Sequence, residues 1–440
     1  MMNAVVQDWT RASALWVRTP FSYGELMPER GGGAEQQFGA TNIALCLSGG
    51  GFRAALYSLG AARYLAEAGV LARTAVVTGV SGGSVAAAAL TAGVATDRSA
   101  LGRDRFIAVV FEPFVRAVTS RNLRNRALAR WSWQRVTAQG RARNLVLAEV
   151  LGEALYPHAG ALADLPTRPQ LVVTATDLAS GRAFRFSQEF IGSFNWGYVS
   201  PPAGMPLATA VAASVAAPPV FPPLQFATAE LGLEHDPPPV LSITDGGVYD
   251  NLGIEWFQGW GSATRPAAAV AADFLVVVNA SGPLRASGDR FVGVRALNRC
   301  RKVQYAQTQA SRVRWLVADL EAGRRRGAYL GITADPRRYR LPDGSAIDPG
   351  LFDGAMPSSL VAPLAELRTD LDRFTAEEAG LLAYHGYWST HARLGSLYPE
   401  MAVTRPAWRE YADLDQATAG TLARELRRPR HRLGIGDRLR

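Results

Sequence analysis

Two glycine-rich turns and one aspartate carry the chemistry this chain could perform. In Gly79-Val80-Ser81-Gly82-Gly83 a serine stands in a G-x-S-x-G pattern between an apolar run and a helix-like one. Such a serine is forced into a strained turn, flanked by glycines because side chains there would collide. Its hydroxyl is presented at the carboxyl edge of a sheet and at the amino end of a helix, whose dipole favours developing negative charge. Ser48-Gly49-Gly50-Gly51-Phe52-Arg53-Ala54 follows another apolar run. Three successive glycines leave backbone N–H groups free to converge, as an oxyanion hole requires. Asp245-Gly246-Gly247 closes a third run, where a carboxylate can reach a serine hydroxyl at the same sheet edge. Together these residues describe attack on an acyl carbonyl. Ser81 is the nucleophile, Asp245 the base, and the amides of Gly49, Gly50 and Gly51 hold the oxyanion.

Competing readings use some of the same residues. The first glycine turn also fits the dinucleotide fingerprint G-x-G-x-x-A, but that site needs an acidic residue ending the next strand. No Asp or Glu lies between Glu67 and Asp97. Asp245 alone would serve an Asx turn. The order Ser81, Asp245, His385 matches an α/β-hydrolase triad, yet His385 falls inside an apolar helical stretch where a packed histidine is expected. A Ser–Asp dyad is therefore preferred. His385 and His391 are six apart rather than four, so no metal site and no cofactor are expected. Asp250-Asn251 reads as the cap of a helix from Leu252.

The elements needed to position these turns are legible in outline. Ile43–Leu47 reads as a strand, Phe52–Ala68 as a helix stopped by Gly69, Thr74–Thr78 as a second strand, and an Ala-rich helix starts at Ser84. Strand, helix, strand, helix with short joins predicts a mostly parallel sheet flanked by helices, an α/β fold. Residues from about 100 to 155 read as a helical insertion. Leu171–Asp177 with Arg182–Ser187 reads as a β-ribbon, and Val240–Thr244 and Asp273–Asn279 as buried strands. From about 290 the pattern is mainly helical, with a capping box at Thr375–Glu378. This predicts an N-terminal extension (1–40), a catalytic domain (41–290), a helical C-terminal region packed on it (291–423) and a basic tail (424–440).

The blocks S-G-G-G-F-R-A, G-V-S-G-G, A-S-V-A-A-P-P-V-F-P-P and D-G-G, in this order over residues 43–255, resemble the patatin-like and cytosolic phospholipase superfamily. The resemblance implies the Ser81–Asp245 dyad and the Gly49–Gly51 oxyanion loop. It implies a basic residue, Arg53, that holds the loop or the lipid phosphate, and substrate contact at Gly82. The stretch from Ala213 to Pro223 matches the family's acyl-pocket wall, and Ala54 after Arg53 looks more like the cytosolic phospholipase branch. The implied activity is hydrolysis of phospholipid or other lipid esters, restrained by an activator, a partner or homo-oligomerisation. The alternatives are a histidine-dependent esterase and a non-catalytic patatin domain that binds lipid or a partner.

Composition narrows the setting. The 440 residues are 48% hydrophobic and 19% charged, which excludes global disorder. Only Lys302 among 47 basic residues is a lysine, which suggests a GC-rich bacterial genome more than a function. Two cysteines, Cys46 and Cys300, exclude a disulfide scaffold and point to a reducing cytoplasm. The first residues lack the pattern of a secretory signal, and the best apolar run is broken by Pro218, Pro219, Pro222 and Pro223. Residues 113–148 hold eight arginines and no Asp or Glu. Arg124, Arg126 and Arg130 beside Trp131 and Trp133 suit an anionic membrane surface, so a cytoplasmic enzyme peripheral to the inner membrane face is expected. No nucleic-acid motif accompanies the charge, and nucleic-acid binding is not expected.

Overall fold

The computed structural model describes residues 42–136, 143–218, 220–257, 266, 268–284 and 286–428. The predicted extension 1–40 lies outside the described residues, as do residues 429–440 of the predicted tail. Residues 424–427 are not tail but the last turn of a helix, Gln416–Arg427.

The chain enters through β1 (Ile43–Leu47), α1 (Gly51–Glu67), β2 (Thr74–Val80) and α2 (Gly82–Thr96). β1 and β2 pair in parallel. α1 stops where Gly69 takes a left-handed conformation, φ +68°. The insertion is helical, with α3 (Glu112–Ser120), α4 (Leu123–Val136) and α5 (Arg143–Leu155) as its longer helices. Then follow β3 (Gln170–Asp177), β4 (Ala183–Phe186), β5 (Ile191–Ser193), β6 (Gly197–Val199), α6 (Leu207–Ser214), β7 (Leu224–Ala227), β8 (Val240–Thr244) and β9 (Phe274–Asn279). The C-terminal region supplies α7 (Gly293–Glu321), β10 (Arg326–Gly331), α8 (Ala376–Leu397) and α9 (Gln416–Arg427).

One ten-stranded sheet runs β10-β9-β1-β2-β3-β4-β5-β6, with β8 joining β3 to β7 off this path. The first five strands of that order are parallel and the rest antiparallel. Side chains of the parallel strands alternate between two faces, as the two-residue period requires. Leu45, Leu47, Val77 and Val276 enter the main core beneath α1, α2 and α8. Ala44, Cys46, Val76 and Val277 enter a second core, closed by Leu252, Trp256 and Leu316 of α7. Helices thus cover both faces, which is why these strands read as continuous apolar runs.

Val240–Thr244 is a strand of the same sheet, as expected, though Val240 is exposed rather than buried; β8 pairs antiparallel to β3 over Thr176↔Thr244 and Asp177↔Ile243, a direction the sequence left open. One reading needs correction. β10, not anticipated from the sequence, lies in the region expected to be helical and extends the sheet beyond β9. The capping box forms as expected: Glu378 N–H donates to Thr375 Oγ1 at 3.1 Å, and Thr375 N–H to Glu378 Oε2 at 2.8 Å.

Candidate active site

The predicted site residues meet at one edge of the sheet. β1 and β2 are parallel, so the turns leaving their carboxyl ends, Gly49–Gly51 and Ser81, lie side by side. β8 overlaps β3 only at the tip, so its own carboxyl end, Thr244-Asp245, arrives at that edge from the opposite direction.

Ser81 sits at φ 50°, ψ −120°, a conformation costly for a side-chain-bearing residue. The surroundings hold it there. Ser81 N–H donates to Ser214 Oγ at 2.9 Å, and Ser214 donates onward to the Thr174 carbonyl at 2.6 Å. Ser84 Oγ donates to the Ser81 carbonyl at 2.6 Å. A Cβ on Gly82 would collide with the Gly51 carbonyl, so this glycine lets the two turns touch backbone to backbone.

Asp245 is partly buried. Its Oδ1 accepts the Gly247 N–H at 2.7 Å, and its carboxylate lies beside the Ser81 side chain. Burial pushes its pKa up to about 6, against the lowering effect of the neighbouring Ser81 hydroxyl and the Gly247 N–H. Asp245 N–H and Thr244 Oγ1 both donate to the Ala216 carbonyl, at 3.0 and 2.7 Å. The segment expected to wall an acyl pocket therefore fastens Ser81 through Ser214 and Asp245 through Ala216.

The three loop glycines are not equivalent. Gly49 N–H donates to the Asn251 carbonyl at 3.0 Å and is not open to an oxyanion, which corrects its predicted role. Its part is close approach: a Cβ built on it would lie 3.1 Å from Ser81 Cβ and against Asn251 Oδ1. The N–H groups of Gly50 (φ 140°) and Gly51 (φ 57°) meet no acceptor among the described residues. They, with Gly82, are the donors left at the edge.

Arg53 is placed otherwise than substrate binding requires. Its guanidinium is buried and donates to the Ala365, Leu367 and Ala280 carbonyls at 2.8, 2.7 and 3.0 Å. Burial lowers its pKa to about 10, which leaves it charged at neutral pH. It holds the loop, the other role implied for it. The residues beyond its acceptors press on the loop directly: Phe52 N–H donates to the Asp370 carbonyl at 3.2 Å, and a Cβ on Gly51 would overlap the Thr369 carbonyl. Arg368 knots this strap, donating to Asp372 at 2.7 Å and Glu378 at 3.0 Å while lying over the Phe374 ring.

The histidine alternative finds no geometry here. His385 is buried in α8, its Nε2 pairing with the Ile332 carbonyl at 2.8 Å and its ring against Tyr57. Burial lowers its pKa to about 4. Asp250 caps no helix at Leu252. It accepts the Leu252 and Glu255 N–H groups and closes a turn into the short 3-10 helix Glu255–Phe257.

The basic residues expected at a membrane are largely neutralised. Arg124 pairs with Asp370 at 2.6 Å, Arg126 with Glu153 at 2.9 Å, and Arg130 with Glu149 and Glu153 at 3.0 and 2.6 Å. Trp131 is half-buried and Trp133 exposed. Glu149 begins one residue past the acid-free stretch and faces α4 from α5. Among the described residues no group of acidic, His or Cys side chains could hold a metal, and no helix is long and apolar enough to cross a membrane.

Three contributors carried no sequence signal of their own. Ser214 supports the nucleophile's turn, Asn251 supports the loop, and the Tyr305 ring of α7 lies 3.0 Å from a Cβ built on Gly247. Asn251 Oδ1 is buried beside the loop without a hydrogen bond. A cavity of about 650 Å³ opens between α5 and α6, lined by Ala148, Gly152, Tyr156, Leu207 and Ala208 among others.

Comparison with known proteins returns one family and a recurrent fold. Residues 45–257 match the model of the patatin-like phospholipase family. No curated protein sequence matches the chain. Human GIVD cytosolic phospholipase A2 superposes with a TM-score of 0.50 at 13% identity, over 83% of this chain and 63% of that one. Its complex with methyl gamma-linolenyl fluorophosphonate gives 0.47 at 15% identity, over 82% and 59%. VipD from Legionella pneumophila gives 0.33 at 14% identity, over 88% and 74%. The chain thus spans just under two thirds of the human enzyme's length.

Proposed function

We propose, from the premise that residues 45–257 form a patatin-like phospholipase domain, that this protein hydrolyses fatty-acyl esters of phospholipids or related lipids through Ser81 and Asp245. One observation carries the reading: a serine at φ 50° stands beside a carboxylate and beside loop amides that meet no acceptor among the described residues.

Asp245 takes the proton of Ser81 Oγ as the oxygen attacks the ester carbonyl. Gly50 and Gly51, joined by the Gly82 amide, stabilise the oxyanion that forms. Each such donor is worth about two to three orders of magnitude in rate. The tetrahedral species collapses to an acyl-serine, and Asp245 returns the proton to the departing alcohol. Water then enters, Asp245 removes one of its protons, and the fatty acid leaves as Ser81 is reprotonated. A carboxylate base with a pKa near 6 is ionised at neutral pH and still basic enough to accept a proton in the transition state.

The test is fatty-acid release from mixed phospholipid vesicles by the wild type, Ser81→Ala, Asp245→Asn and His385→Ala. The first two variants should be inactive and the third active. A folded but inactive His385→Ala protein would overturn the base assignment, and an active Ser81→Ala protein the nucleophile.

A further inference from the structure

α7 is a helix of 29 residues, yet Leu316 is its one fully buried residue. Its carboxyl half is anchored: Leu316 enters the second core, Arg312 donates to the Tyr249 carbonyl at 2.9 Å, and Gln309 to Asn279 Oδ1 at 3.0 Å. The amino half projects. Val292, Val294 and Leu297 are 67%, 77% and 71% exposed, and Phe291 is also exposed. Twelve residues, from Gly293 to Gln304, extend this half by about 18 Å. Uncovered aliphatic side chains this close together mark an interaction surface rather than scattered surface residues.

Charge selects the partner. Between residues 290 and 318 there are seven basic residues and no Asp or Glu. Among the described residues Arg290, Arg295 and Lys302 form no ion pair with a carboxylate. This is the reverse of α4, whose Arg124, Arg126 and Arg130 all face carboxylates. Basic side chains interleaved with exposed apolar ones on a helix suit the headgroup and acyl boundary of an anionic bilayer.

Position gives the surface its use. Tyr305, at the junction of the two halves, lies against Gly247, whose N–H donates to Asp245. Arg301 reaches the Pro218 carbonyl on the segment that fastens Ser81 and Asp245. We propose that the amino half of α7, led by Phe291, Val292, Val294 and Leu297 and flanked by Arg295 and Lys302, docks the protein on an anionic membrane and sets the Ser81 edge against lipid. Its catalytic consequence rests on the lipid-hydrolase reading, whereas the docking itself does not.

The experiment is sedimentation of the full-length protein with phosphatidylcholine vesicles, with and without phosphatidylglycerol. A short soluble ester measures turnover away from any membrane. Wild type should sediment with the anionic vesicles and much less with the neutral ones. Val294→Asp/Leu297→Asp and Arg295→Glu/Lys302→Glu should each weaken that binding roughly tenfold or more while soluble-ester turnover persists, and Arg126→Glu/Arg130→Glu in α4 should bind as wild type. Unchanged binding by both α7 variants, or loss on the α4 change alone, overturns the proposal. So does a wild type that ignores vesicles but is a dimer split by Val294→Asp/Leu297→Asp, since the surface would then belong to a second copy. A protein that docks through α7 but hydrolyses no ester keeps this inference and loses the hydrolase reading. One that hydrolyses the soluble ester without docking does the opposite.

Discussion

The two glycine turns at the sheet edge look alike in sequence and are held in opposite ways. The Ser81 turn is braced once at short range, by Ser84 from within α2, and once from within the domain, by Ser214 of α6. The Gly49–Gly51 loop is braced by residues hundreds of positions away, the carbonyls of Asn251, Ala280, Ala365, Leu367 and Asp370, with Arg53 gathering three of them. The geometry of the proposed nucleophile thus rests on contacts within residues 41–290, whereas that of the proposed oxyanion donors depends also on the packed C-terminal region. Damage to the latter should disturb transition-state stabilisation and leave the base intact.

Four measurements bear on that contrast. The largest effect is expected at the nucleophile's own turn: Ser81→Ala and Asp245→Asn should each lower kcat by about four orders of magnitude, with Tm close to wild type. Gly51→Ala comes next, because a methyl group there meets the Thr369 carbonyl and a positive φ. Its kcat should fall about a hundredfold or more, as for a lost oxyanion donor, with KM for a soluble ester unchanged; a wild-type kcat would remove Gly51 from the oxyanion site. Arg368→Ala, which unties the strap without touching the loop, should reduce kcat by roughly tenfold, with partial recovery in Arg368→Lys. A lower Tm at unchanged kcat would make the knot purely structural.

The smallest effect is expected in the pH profile. With the ionised form of Asp245 as the proposed base, kcat/KM should rise with pH up to about 6 and level off above it. In Gly51→Ala that inflection should stay in place, since Asp245 is fastened to the Ser81 side. A shift in Gly51→Ala alone would mean that the two turns are coupled after all.

How much could be read beforehand follows from the range of the interactions. β1, α1, β2 and α2 were legible because apolar runs, a helical span and glycine stops are local signals. The placement of Ser81 and Asp245 at the sheet edge was legible because each follows the end of a strand. The direction of β8 was not, since a five-residue strand reads the same either way. β10 was hidden by the glycines at the second and last positions of Arg-Gly-Ala-Tyr-Leu-Gly. Arg53 was found as a residue but not as a clamp, because its acceptors are backbone carbonyls without a sequence mark. The arginines of α4 seemed unopposed because their carboxylates, Glu149 and Glu153, stand on the next helix, just past the acid-free window.

The buried imidazoles of α8 give the molecule an acid threshold. His385 pairs with the Ile332 carbonyl and His391 with the Tyr64 hydroxyl at 2.9 Å, and burial lowers both pKa values to about 4 from an unfolded value near 6.5. Between those values the unfolded chain binds more protons than the folded one. Their contribution is therefore complete above about pH 6.5 and drains away as pH falls toward 4, by at most roughly 3 kcal/mol for each ring. α8 packs on α1, whose first residue is Gly51, and its Glu378 holds Arg368. On the proposed mechanism, acidification would first silence the protein reversibly, by protonating Asp245, and then work loose the layer on which the loop is moored.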